Sequence, residues 1–192
     1  MAGMPVGPLA LNDEVAVDLA LKILKATKAQ VGPDVINPKQ EQLLMRMVEK
    51  EGRFGRKNKK GFYDYPENGK KRLWPGLTDL QATRLDAETV DFQELKDRLL
   101  VTQALEAART VEEGVITDPR EADVGSILGF GFAPFTGGAL SYIDFMGVKA
   151  FIDLCRRLQS RHGDRFAPNK LLLDMAASGG TFYGDAQTRK AA

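Results

Sequence analysis

Side chains able to do chemistry are sparse in this sequence. His162 is its only histidine and Cys155 its only cysteine. General acid–base catalysis draws most often on histidine. Ser160-Arg161-His162-Gly163-Asp164, however, is a polar helix end, which predicts an exposed imidazole. Cys155 falls on the apolar stripe of an amphipathic segment, which predicts an inert core thiol rather than a nucleophile. A single cysteine excludes an intrachain disulfide and a zinc site of several thiolates, and no metal site is expected. Asp13 and Asp144 could pass for a catalytic carboxylate pair. Their matching places in two similar segments predict helix capping instead. Glu106, Glu112, Glu113 and Asp123 read as surface or capping carboxylates. Residues 52–60 are basic, with Arg53, Arg56, Lys57, Lys59 and Lys60, which predicts a solvated charged loop. These types and spacings assign no catalytic residue.

The elements around them read as mostly helical. Of the 192 residues, 43% are hydrophobic and 28% charged, with a net charge of +1. That is an ordinary soluble composition and gives no basis for nucleic-acid binding. Asp13, Glu14 and Asp18 interrupt the apolar start, so no membrane-length run exists there, and a cytoplasmic protein is expected. Apolar spacing predicts helices over 12–28, 38–51, 92–114, 118–128, 148–161 and 168–177. Pro38 and Asp118-Pro119 open two of them, and Gly114 closes the longest. Residues 61–65 alternate like a short extended segment, 79–86 form one or two helical turns, and 178–192 read as tail.

Residues 125–147 are rich in Gly and aromatics. Ile127, Leu128, Phe130, Phe132 and Phe135 predict a packed loop, because together they would expose too much apolar surface. A second copy begins the chain. Gly3 and Pro5 line up with Gly131 and Ala133; after an insertion in the later copy Gly7 meets Gly138, Leu9 meets Leu140 and Asp13 meets Asp144. The later copy is preceded by two helices and the earlier one by Met1-Ala2, so the earlier copy is expected to lack its leading helices.

Several stretches together resemble a known family. They are Gly3-Met4-Pro5-Val6-Gly7-Pro8 with Leu11-Asn12-Asp13, Gly55-Arg56-Lys57, and Lys60-Gly61-Phe62-Tyr63-Asp64-Tyr65. Glu106 through Glu112-Glu113-Gly114 to Ala122-Asp123, and Gly129-Phe130-Gly131-Phe132-Ala133-Pro134-Phe135-Thr136-Gly137-Gly138, complete the set. In order and spacing they resemble the C-terminal helical region of the NAD-dependent 3-hydroxyacyl-CoA dehydrogenases. The tandem form resembles that of the bacterial multifunctional α-subunits, which add an enoyl-CoA hydratase.

The resemblance implies an all-α chain of tandem helical repeats, like the 6-phosphogluconate dehydrogenase C-terminal-domain-like fold. Its repeats are expected over 1–90, lacking leading helices, and 91–184, with 185–192 as tail. It implies that the chain is a carboxy-terminal piece. NAD and the catalytic His–Glu pair would belong to a Rossmann domain elsewhere in the full enzyme. No cofactor would bind this chain alone, and the isolated chain would be inactive. Met4, Pro5, Leu128, Phe132 and Pro134 become candidates for the acyl pocket, or simply core. Lys57 and Lys60 become candidates for the CoA phosphates. The implied partners are acyl-CoA with the missing Rossmann domain, and a thiolase β-subunit or a second copy; a free-standing assembly module is the alternative.

Overall fold

The structure is a computed structural model that describes residues 2–80 and 86–184. The chain divides into two units, Val6–Thr89 and Met1–Pro5 with Val90–Ala192. In the first, Pro8 fits the first turn of α1 (Pro8–Val15), where its missing N–H is not needed. α2 (Val17–Val31) follows after a single residue, Ala16, at φ 89°. The one helix expected over 12–28 is therefore two. Asn12 and Asp13 lie inside α1 and do not cap α2. Val17, Leu21 and Leu24 of α2 meet Leu44, Met47 and Phe62 in one apolar core.

α3 (Pro38–Met45) is capped by Asn37, whose side chain accepts from Lys39 N at 2.9 Å. It runs on into a π turn, Arg46–Lys50, so the helix expected over 38–51 is present with a widened last turn. β1 (Tyr63–Asp64) pairs antiparallel with β2 (Arg72–Leu73), Tyr63 opposite Leu73. The extended segment read at 61–65 thus has a partner strand that the sequence did not announce. A 3₁₀ turn, Pro75–Leu80, follows. Most of the turn expected at 79–86 lies outside the described residues, as does the tail from 185.

In the second unit, Asp91 caps α4 (Phe92–Glu112) and Asp118 caps α5 (Pro119–Phe130). α6 (Ala139–Met146), α7 (Val148–His162) and α8 (Lys170–Ser178) complete it. Leu100, Ala104, Leu105, Leu140, Ile143, Phe151, Leu158 and Leu172 belong to its core. Phe132 is fully buried and stands edge-on to Tyr142, which stands edge-on to Phe151. The loop after α5 is only partly packed, contrary to expectation. Leu128, Phe130 and Phe135 are exposed, and Phe132 alone among the five apolar residues is buried. The physical reason is that α5 continues to Phe130, so Leu128 and Phe130 belong to the exposed last turn of a helix rather than to a packed loop.

A shift of 131 residues carries the first helices onto the later ones residue for residue. α1 falls on α6, α2 on α7, and the 3₁₀ turn Pro33–Val35 on Asp164–Phe166. The junction Ala16 (φ 89°, ψ 122°) falls on Gly147 (φ 86°, ψ 128°), and Gly32 on Gly163. The repeat read in the sequence is thus a repeat of backbone geometry. Its two aspartates also do the same work. Asp13 accepts from Phe62 N (2.7 Å) and Tyr63 N (2.9 Å), and Asp144 from Phe182 N (3.0 Å) and Tyr183 N (3.1 Å). Each fastens a helix to a distant Phe-Tyr pair. This corrects the capping role expected for both.

Candidate functional site

α4 and α5 leave a groove of about 370 Å³ between them, lined mainly by Gln103, Ala107, Ile116, Ala122, Gly125 and Phe130. Asp118 caps α5, the helix that forms one wall. The start of the chain comes to the same groove: Gln103 Nε2 donates to Met4 Sδ at 3.5 Å and to Leu99 O at 2.7 Å. Gly3 and Pro5 also pack on the loop after α5. A Cβ on Gly3 would lie 2.9 Å from that of Ala133, and one on Gly131 would lie 3.1 Å from Pro5. Glycine at those two places lets the strands of the loops approach so closely. An apolar slot rimmed by Glu106 and Glu121 suits an alkyl chain and repels a phosphate.

The candidate acyl-pocket residues are distributed over this region unevenly. Met4 is half-buried at the groove and Pro5 is exposed beside Gly131. Leu128 is 81% exposed on the outer face of α5, and Pro134 is exposed in the turn Pro134–Thr136. Phe132 lies in the core beneath them. Lys57 and Lys60 belong to the other unit. Lys57 pairs with Asp18, and that bond holds the Asp18 carboxyl below the usual range. Lys60 is exposed and has no ion pair among the described residues.

Sequence reasoning missed the buried carboxylate of Asp123. It accepts from Leu140 N (2.7 Å), Ser141 N (3.1 Å) and Tyr183 Oη (2.6 Å). It is a cap, as expected, but for α6 rather than for its own helix, and it is buried rather than at the surface. Burial first, and then this bond, push the Tyr183 hydroxyl up to about 12. Glu112 acts similarly on α8, accepting from Leu171 N at 2.7 Å.

His162 is the other correction. It is half-buried, with Nε2 3.0 Å from Glu94 Oε1 and its ring edge-on to Phe166. Arg161 shares the same carboxylate. Together they tie the end of α7 to the start of α4, which is structural work. Cys155 is fully buried, and burial pushes its thiol up to about 12, as an inert core thiol requires. The glycines Gly129 and Gly131 do not fit a dinucleotide. They end helix α5, with Gly131 as its left-handed cap, whereas the phosphate-binding turn needs a strand before it and a helix after.

Residues 1–65 match the family of the 3-hydroxyacyl-CoA dehydrogenase, C-terminal domain. Over 188 residues the chain is 39% identical to the fatty acid oxidation complex subunit alpha of Shewanella loihica, and over 182 residues 40% identical to that of Shewanella amazonensis. Each alignment covers 94% of this chain and 25% of the relative, so the chain spans about a quarter of the length of these curated relatives. The crystal structure of 3-hydroxybutyryl-CoA dehydrogenase from Escherichia coli K12 superposes with a TM-score of 0.61, over 93% of this chain and 53% of that one. At 17% identity that likeness is one of fold alone. The family match and the relatives bear out the resemblance read from the sequence.

Proposed function

We propose, from this kinship with the C-terminal helical region of 3-hydroxyacyl-CoA dehydrogenases, that the chain is the non-catalytic helical part of a fatty-acid β-oxidation enzyme. The full enzyme would take L-3-hydroxyacyl-CoA and NAD to 3-ketoacyl-CoA and NADH, in the cytoplasm. The repeats would be residues 1–90 and 91–184, with a tail from 185, in a fold like the C-terminal domain of 6-phosphogluconate dehydrogenase. Hydride transfer and proton removal would be the work of a separate NAD-binding domain. This chain would hold the acyl chain and exclude water from it. The observation that carries this reading is the apolar groove between α4 and α5, reached by Met4 through Gln103. Met4, Pro5, Leu128 and Pro134 would form the exposed wall, with Phe132 as buried support. Lys57 and Lys60, in the other unit, are the candidates for the CoA phosphates; of the two, Lys60 has no ion pair among the described residues.

Thermal unfolding with acyl-CoA tests the reading. Ligand at a hundred times its dissociation constant should stabilise the chain by about 2.7 kcal/mol. No shift at saturating acyl-CoA sinks it. The isolated chain is expected to give no turnover with acetoacetyl-CoA and NADH. A second reading, an assembly module that docks a separate Rossmann domain or a thiolase β-subunit, or that forms a homodimer, is favoured by the exposed Leu128, Phe135 and Phe145. Co-purification of a stable complex with one of these would select it.

A further inference from the structure

A cavity of about 360 Å³ lies between the first half of α4, the second half of α6 and the turn Pro134–Thr136. Its size suits a small molecule. Helical spacing builds it. Lys96, Asp97 and Leu100 share one face of α4, and Tyr142, Phe145 and Met146 share one face of α6. Leu100 is buried at the inner end, while Phe135 and Phe145, 71% and 89% exposed, stand at the mouth. The polar groups of the lining are the informative ones. Asp97 is buried, but both its oxygens are committed: Oδ1 accepts from Gln93 Nε2 at 2.6 Å, and Oδ2 from Arg157 Nη2 at 3.2 Å. Thr136 Oγ1 donates to Ala133 O at 2.7 Å. Two donors are left uncommitted. Tyr142 is 9% exposed and its ring is held edge-on by Phe132 and Phe151, yet its hydroxyl has no hydrogen-bond partner among the described residues. Lys96 is half-buried in the same lining, and its ammonium has no ion pair among the described residues. A buried polar group without a partner is costly, so an acceptor brought into the cavity is favoured there.

We propose that this cavity binds an amphipathic organic carboxylate, its apolar body between Phe135, Phe145 and Met146 and its head accepting from Tyr142 Oη and Lys96 Nζ. The sign of the head follows from the charges around it. Asp97 and Arg157 offset one another, which leaves Lys96 as the net charge of the lining. Both uncommitted groups donate, and a carboxylate is the acceptor that meets two donors best. Burial first, and then the Asp97 carboxylate, push the Tyr142 hydroxyl up to about 12, so it keeps its proton at neutral pH. An ammonium head would instead add a cation beside Lys96 and Arg157. The proposal does not rest on the acyl groove between α4 and α5, since no residue lines both cavities.

Calorimetric titration of the chain with 4-phenylbutyrate tests it, and saturable binding is expected. Tyr142→Phe keeps the ring that Phe132 and Phe151 hold, and Lys96→Met keeps the apolar stem. Each should weaken the probe by about tenfold. On the unaltered chain, 4-phenylbutyramide should bind more weakly than the acid by a similar factor, and 4-phenylbutylamine more weakly still. That comparison does not depend on either variant folding. No saturable binding at millimolar probe overturns the proposal. So does binding that both substitutions leave unchanged, and so does an amine or an amide that binds as tightly as the acid. Whether acyl-CoA binds leaves this ranking of probes untouched, because the groove and the cavity share no residue.

Discussion

Asp13 is 1% exposed and accepts three hydrogen bonds, from Phe62 N, Tyr63 N and Tyr65 Oη. Truncation to alanine strands those donors in the interior. Asp13→Ala should therefore cost about 3 kcal/mol in a urea melt. Gly61→Ala should be damaging for a related reason: a Cβ there would lie 2.0 Å from Asp13 Oδ1. Neither effect can be read from the sequence, since Asp13 and Phe62 are 49 positions apart. Capping was the natural reading of Asp13 and Asp144 because they hold matching places in two similar segments. Both lie inside short helices, α1 and α6, and accept from the backbone of the Phe-Tyr pairs instead. Cys155 gives the opposite lesson: its place on the stripe of α7 was enough. Its thiol should stay unmodified by a thiol reagent at neutral pH until the protein is unfolded, as mass spectrometry would report.

At the scale of elements, the junctions between paired helices carry the clearest strain. Ala16 holds φ 89°, a backbone state that Gly147 adopts freely in the other copy. Ala16→Gly should stabilise the first unit by about 1 kcal/mol, and Gly147→Ala should destabilise the second by about as much. Denaturant midpoints of the two variants would move in opposite directions. The sequence hid the α1–α2 break because alanine is a strong helix former and gives no turn signal. It showed α5 and α7 well, since Asp118-Pro119 and the stripe of Phe151, Ile152, Cys155 and Leu158 are strong local signals. The tie between α7 and α4 is pH-dependent on the acid side. His162, and then Arg161, hold the Glu94 carboxyl below its ordinary range. A depressed carboxyl stabilises fully above the ordinary range, and the contribution is lost as pH falls through the lowered value. Glu94→Gln should remove that part of the acid sensitivity, measured as the difference in melting temperature between neutral and acid pH.

At the scale of the whole molecule, the repeat and its kinship were legible because both are patterns of residue identity. Gly7, Leu9 and Asp13 recur as Gly138, Leu140 and Asp144, and the family stretches keep their order. The sequence determined a helical chain, its two copies and its relatives. Tertiary structure decided the rest, because burial depends on which surfaces meet. It put Phe132 inside while leaving Leu128 and Phe135 outside, and it brought Met4 to Gln103 across 99 positions. It made Asp123 the cap of a helix other than its own. It also left Leu9 and Leu11 bare where Leu140 and Tyr142 are covered: the same apolar pattern is core in one copy and open surface in the other, because only one copy has α4 and α5 laid over it.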